Sequence, residues 1–496
     1  MTTGATTRRA AFDLQAAARR DMLDNGFTPD LPPDAAHQLA GITAHAAPND
    51  PTGRRDLRAL LWSSIDNDDT RDFDQLEFVE PLDGDTVRLR VAIADVDALV
   101  AAGSPLDRAA AANATSVYLG VHTFTMIPEP LSYDLTSLRA DADRYAIVVE
   151  ADIALDGTIA RNDAYTALVR NRAQLAYPSL GDWLEGRGAA PPAVAANREL
   201  ADQLHAQHAL AQRLRTQRLA HGALELETIE ATPVVSNGTV TDLALVRDNA
   251  ARRLIEDFMI AANMAMGRFL AARHRSELLR VVRTPERWPR IVQVARAAGD
   301  TLPDAPDSVA LSEFLARRRA ADPVHFPDLS LTIVKLLGPG SYAVTSPNGG
   351  PAGAGHFGLA VSDYTHSTAP NRRYADLVMQ RLVKAAVSGV PAPYDDATLD
   401  AIAQRCTERE DAARKVERLA RKQAAAVMLA GRIGETFDAI VTGANPKGTF
   451  VRLVHPPAEG MVVNPPPHID VGDRVRAQLV ATRPDPGFID FRIAKH

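Results

Sequence analysis

Five aspartates, at positions 66, 68, 69, 72 and 74, fall within nine residues of this 496-residue chain, and Gln75 follows directly. Carboxylates this close repel one another, so each resists ionisation unless a cation neutralises the group. All-oxygen donors of this kind suit a hard divalent ion such as Mg²⁺ or Mn²⁺. An acidic surface turn has the same composition, and the cluster alone leaves both readings open. A calcium loop does not fit. Asp66 to Glu77 has the twelve-residue spacing, but its sixth position is Arg71 where such a loop needs glycine, and strand rather than helix follows.

A second group runs from His356 to Asp376 and contains Tyr364, His366, Pro370, Arg372, Arg373 and Tyr374. Pro370 suits the start of a helix, and two arginines in a first helical turn oppose the helix dipole. That placement makes sense if Arg372 and Arg373 meet a phosphate, whose oxygens match the guanidinium fork. An ion pair with Asp376 is the structural alternative, and it suits Arg373 better than Arg372. Third, Tyr118 stands among polar, flexible segments in a chain with only 5% aromatic residues. It is either a platform on which a nucleic-acid base stacks or an ordinary core residue.

Periodicity predicts the elements that hold these groups. Leu76 to Val79, then Asp83-Gly84, then alternating Val87, Leu89, Val91 and Ile93 predict a hairpin directly after the aspartates. Residues 10–25 and 33–44 predict two helices, a small N-terminal unit (1–47) of which a helix-turn-helix-like module is one form. The body (48–430) mixes strands over 60–93 and 145–153 with helices near 197–219, 250–273 and 308–320 and a long helix over 396–433. Residues 434–496 change to short alternating strands with Gly and Pro turns, which predicts a small barrel of the OB-fold type. The expected fold is therefore an α+β mixed body with a C-terminal all-β OB barrel and a helical N-terminal unit.

Composition bounds the function. Hydrophobic content of 46% and charged content of 24% are those of a globular protein, with no long uncharged apolar run for a membrane span. Residues 2–9 lack the apolar core of a secretion signal, so a cytoplasmic chain is expected. The single cysteine, Cys406, leaves no intramolecular disulfide and no cysteine metal site. A net charge of −7 argues against a generally basic nucleic-acid binder but not against a local positive channel. Only six of the 55 cations are lysine, and arginine is the better phosphate partner, although a GC-rich genome gives the same bias.

Asp66-x5-Asp72-x-Asp74, Tyr118 with Met126 and Pro128, and Tyr364-Thr-His-x-Thr-x-Pro370-x-Arg372-Arg373-Tyr374-x-Asp376 together resemble the catalytic domain of the ribonuclease II and ribonuclease R exoribonucleases. Arg172 to Tyr177, His221 to Leu224 and Leu254 to Met259 match in the same order, so the likeness covers residues 54–430. Residues 434–496 are similar to the RNA-binding barrel of the S-one type. The resemblance implies a Mg²⁺-dependent hydrolase, with Mn²⁺ as a substitute, that removes 5′-nucleoside monophosphates from the 3′ end of single-stranded RNA. It implies a metal site of Asp66, Asp72, Asp74 and Gln75, with Asp74 and Arg372 catalytic. Tyr118, Tyr177 and Arg373 would bind substrate. No membrane and no obligate protein partner are implied, and a monomer is expected.

Two departures stand out. Gln75 occupies the place of the family's fourth carboxylate, and too few residues precede Ser64 for the tandem cold-shock barrels of bacterial relatives. Gln75 also raises an alternative from another class: a catalytically impaired RNA-binding or regulatory protein that keeps the fold.

Overall fold

Asp13 starts the first helix by accepting the N–H groups of Gln15 and Ala16, so α1 spans Leu14–Asp24 and α2 follows at Pro33–Ile42. The computed structural model describes residues 12–42, 53–227, 230–236, 239–246, 248–347, 349, 355–445, 448–466, 469 and 471–494. The helix ends expected at residues 10, 43 and 44 lie outside this set.

The body begins with β1 (Arg55–Asp56), β2 (Trp62–Asp66), β3 (Gln75–Pro81), β4 (Val87–Ala94) and α3 (Pro105–Asn113). A short hairpin of β5 (Val117–Tyr118) and β6 (Thr123–Phe124) precedes the long strands β7 (Asp143–Ile153) and β8 (Ile159–Ala176). The strand order is β1-β8-β2-β3-β4-β7, and β7 also pairs with β8. The predicted hairpin is the β3–β4 pair, running from Gln75↔Ile93 to Pro81↔Val87. The 18-residue β8 was not expected as a strand. Its Arg161, Asn162, Arg170, Asn171, Arg172 and Gln174 hide a pleat whose inward Ala167, Val169, Ala173 and Leu175 are buried.

Helices α4 (Tyr177–Leu184), α5 (Pro192–Ala195) and α6 (Arg198–Ala220) follow, then the pair β9 (Glu230–Ser236) and β10 (Thr239–Val246). Next comes α7 (Ala250–Ala271), apolar on nearly every side and packed within the main core through Phe258, Ala262, Ala265 and Phe269. Its buried polar residues are bonded: Arg218 to Asp257, and the Ser367 N–H to Asn263 Oδ1 at 2.7 Å. Strands β11 (Glu277–Val281) and β12 (Ser341–Thr345) pair with each other and send Leu278 and Tyr342 into the main core, while α8 (Trp288–Ala297), α9 (Ser308–Ala321) and α10 (Phe326–Leu337), between them in sequence, form a separate apolar cluster.

Helix α11 spans Tyr374–Ser388, which corrects the helix expected to start at Pro370. The intervening backbone is used elsewhere. The Asn371 N–H is donated to Asp74, and the N–H groups of Arg372 and Arg373 close a turn on the Ala369 carbonyl. The long α12 (Asp396–Leu429) leads into β13 (Thr436–Asn445), β14 (Gly448–Leu453), β15 (Glu459–Val462), β16 (Arg474–Arg483) and β17 (Phe488–Ile493). These close as β13-β14-β15-β17-β16, the five-stranded barrel that the alternation predicts. Among the described residues no helix is long and apolar enough to cross a membrane.

Candidate active site

Strands β2 and β3 meet at Ser63↔Glu77, so Asp66 and Asp74 stand at the two feet of the loop that joins them. Asp66 Oδ1 accepts the Asn67 N–H and the Thr70 hydroxyl, both at 2.8 Å. Burial raises the Asp66 carboxyl above its ordinary value despite those bonds. Asp72 Oδ2 accepts the Tyr118 hydroxyl at 2.6 Å. Asp74 is 2% exposed; its Oδ1 accepts the Asn371 N–H at 3.0 Å. Its Oδ2 is buried without a hydrogen-bond partner, 3.5 Å from Arg372 Nε. Burial pushes Asp74 up to about 8; Arg372 pulls the other way and the Asp72 charge adds to burial.

The 370–373 turn brings Arg372 to Asp74 across some three hundred residues of sequence. The two arginines then part. Arg372 is 46% exposed and faces the cavity, whereas Arg373 places Nε and Nη2 on the two Asp376 oxygens at 2.8 and 2.7 Å. Asp376 is fully buried, so that fork is fixed. The helix-dipole argument for a phosphate therefore does not apply to this pair, because neither arginine lies in the first turn of α11.

Asp66, Asp72, Asp74, Gln75, Tyr118, Tyr177 and Arg372 all line one cavity of about 330 Å³. It adjoins a cleft of about 1230 Å³ that shares Asn67, Thr70, Asp72, Tyr118 and Arg252. Tyr118 is 41% exposed, with its ring toward these spaces, so it is no core tyrosine. Asp68 and Asp69 border only the larger cleft.

Several wall residues escaped the sequence reading. Arg252 lies over the Tyr177 ring at 4.3 Å and donates to Asn67 Oδ1 at 2.8 Å. Its signal was available: Arg252 and Arg253 occupy the first turn of α7, against the dipole. Ile255, Met259 and Thr368 complete the wall. Glu77 lies two residues past Gln75, on the same strand face, buried with neither carboxylate oxygen bonded. Burial, with the Asp66 charge, raises its carboxyl well above the ordinary range.

The donor set fits a hard divalent cation in kind. Every candidate ligand is an oxygen, and the unpartnered Asp74 Oδ2 is the atom a cation would satisfy. Among the described residues, however, no three His, Cys, Asp or Glu side chains are gathered as a metal group. So sparse a protein shell suits a hard divalent ion that keeps part of its water.

The family model described as RNB domain matches residues 54–389, and that of the RNase II-type exonuclease C-terminal S1 domain matches 435–494. The chain belongs to the RNB family. This is a family of metal-dependent exoribonucleases. Ribonuclease R of Vibrio cholerae is 30% identical over 514 residues, covering 94% of this chain and 60% of that protein. Exoribonuclease 2 of Cronobacter sakazakii is 32% identical over 438 residues, covering 87% of this chain and 65% of that protein. The chain thus spans under two thirds of the length of either relative. The structure of Mycoplasma genitalium RNase R in complex with ribose-methylated single-stranded RNA superposes with a TM-score of 0.85. It is 22% identical over 97% of this chain and 78% of that one, which shows a shared RNB fold.

Proposed function

We propose that this RNB protein is a 3′-to-5′ hydrolytic exoribonuclease that shortens single-stranded RNA and releases 5′-nucleoside monophosphates in a Mg²⁺-dependent reaction. The observation that carries the proposal is the meeting of Asp74 and Arg372 in one cavity with Asp66, Asp72 and Tyr118. A divalent ion held there would supply an activated water and neutralise phosphate charge. Asp66, Asp72, Asp74 and the Gln75 amide oxygen are the residues that would hold it. Asp74 is the carboxylate on which activity depends most. Its Oδ2, unbonded within the protein, is the oxygen it would offer to that ion.

Arg372 opposes the charge that grows on the phosphoryl oxygens, and its partial exposure leaves the guanidinium available to a phosphate. Tyr118 stacks on a base near the 3′ end, while Tyr177, held by Arg252, lines the pocket. Arg373 acts at one remove, as a border of the neighbouring space shared with Arg372. Selectivity for single strands would come from a cleft too narrow for a duplex, and contacts to 2′-hydroxyls would separate RNA from DNA. We assign residues 1–47 to a helical unit, 48–430 to the catalytic body and 434–496 to an RNA-binding barrel, in a cytoplasmic monomer that needs no protein partner.

Gln75 favours a second reading, an RNA-binding protein with impaired hydrolysis, because an amide brings no charge to the ion. The test is product analysis. Single-stranded RNA labelled on its 3′-terminal nucleotide should release labelled nucleoside 5′-monophosphate as the first product with Mg²⁺. Release of longer fragments, or of a 3′-monophosphate, would refute the assignment.

A further inference from the structure

Helix α1 and the turn after it are fastened to three other parts of the molecule. Gln423 of α12 donates to Asp21 Oδ2 at 2.9 Å and to the Asp485 carbonyl of the barrel at 3.0 Å. Arg20 reaches Asp485 Oδ1 at 2.5 Å. Arg409 of α12 donates to the Asn25 carbonyl at 3.1 Å, and Thr28 exchanges bonds of 2.8 and 2.9 Å with Asn113 of α3.

One apolar side of α1 and the turn after it faces the β5–β6 hairpin. Ala18, Met22 and Phe27 form one buried cluster with Val117 and Leu119 of the hairpin and Val416 of α12. Val117 and Leu119 flank Tyr118, and strand alternation sends Tyr118 the other way, toward Asp72 and the cavity. Just before the hairpin, the Ser116 N–H is donated to the Arg372 carbonyl at 2.9 Å, and the Ala114 carbonyl accepts the Tyr374 N–H at 2.8 Å. Segment 114–119 thus has α1 behind it and the site in front.

Two-residue strands joined by a turn cannot hold a fixed geometry alone. What fixes Tyr118 must come from packing, and the cluster supplies it. We propose that Met22 and Phe27 are positioning residues for Tyr118: the N-terminal unit is a brace behind the hairpin, so capture of the 3′-terminal base depends on a helix outside the cavity. The proposal rests on Tyr118 as a base platform.

The test uses the full chain carrying Asp74→Asn, so that RNA is bound without being consumed, and an oligoribonucleotide ending in 2-aminopurine. Stacking on Tyr118 quenches that base, and Tyr118→Ala should abolish the quench. Met22→Ala should cut the Tyr118-dependent quench to about half or less, because a cavity behind Leu119 lets the hairpin relax. Met22→Leu should restore it, and adding Met22→Ala to Tyr118→Ala should change nothing further, the coupling expected of one pathway. Ile291→Ala, in the separate α8–α10 cluster, should lower the melting temperature and leave the quench intact. If Met22→Ala does not fold, Met22→Val gives the same reading at a smaller amplitude. A folded Met22→Ala or Met22→Val protein with full quench would overturn the brace. A quench that survives Tyr118→Ala would overturn the platform assignment, and the brace with it.

Discussion

Asp74→Asn should make the metal-free protein more stable at neutral and alkaline pH while removing hydrolysis. Burial lifts the Asp74 carboxyl from an ordinary 3.8 to about 8 in the folded protein. The native state therefore binds this proton more tightly than the unfolded chain, and stability falls as pH rises between about 4 and about 8. Each tenfold in proton affinity corresponds to about 1.4 kcal/mol, so at pH 7 the wild type carries a penalty with a ceiling of about 4 kcal/mol. Asparagine carries no charge at any of these pH values, and its Oδ1 can still accept the Asn371 N–H. The variant should gain a few kcal/mol at pH 7 and above in EDTA, with the gain fading near pH 4. Denaturant unfolding followed by tryptophan fluorescence reads this directly, because Trp62 is buried in β2 beside the site. A difference that does not change with pH, or a variant less stable than wild type at alkaline pH, would refute the reasoning.

Arg372→Ala should lower the hydrolysis rate by a factor on the order of 10²–10³, as for loss of a transition-state charge partner. Arg373→Ala should instead reduce the melting temperature most, since it leaves the buried Asp376 without its fork; a larger rate loss there than in Arg372→Ala would reverse the assigned roles. Tyr118→Ala should lengthen the final undigested oligonucleotide, because a stacked base is worth about 1–3 kcal/mol and matters once few nucleotides remain. An unchanged limit product on a sequencing gel would remove Tyr118 from the substrate. Gln75→Asp should lower the Mg²⁺ concentration for half-maximal rate, since a carboxylate replaces a neutral amide at the cavity wall; identical titration curves would place Gln75 off the ion.

The legible parts of the fold are those whose pattern is local. Alternation gave β3 and β4 with their turn, and the barrel announced itself by a change of period after α12. Helices α6, α7 and α9 start within a residue of their expected positions because Asn197, Asn249 and Asp307 cap them. Strand β8 was lost because its polar residues mask the pleat. The α11 boundary was missed because Asp74, far away in sequence, takes the Asn371 N–H and holds the 370–373 turn out of the helix. The aspartates, Tyr118 and Arg372 could be named from sequence, but not their arrangement. Nothing local says that Arg372 faces Asp74 while Arg373 is tied to Asp376, or that Met22 shares a buried cluster with Leu119.

The Asp74–Arg372 cavity should hydrolyse RNA from its 3′ end. This is tested most directly by following 5′-labelled single-stranded RNA with wild type and Asp74→Asn in Mg²⁺, with binding measured on the same samples. Wild type should shorten the RNA progressively, and Asp74→Asn should bind within a few-fold of it and leave the RNA intact. Wild type that binds RNA yet leaves it whole at saturating Mg²⁺ and Mn²⁺, or Asp74→Asn that retains a substantial part of the rate, would contradict it.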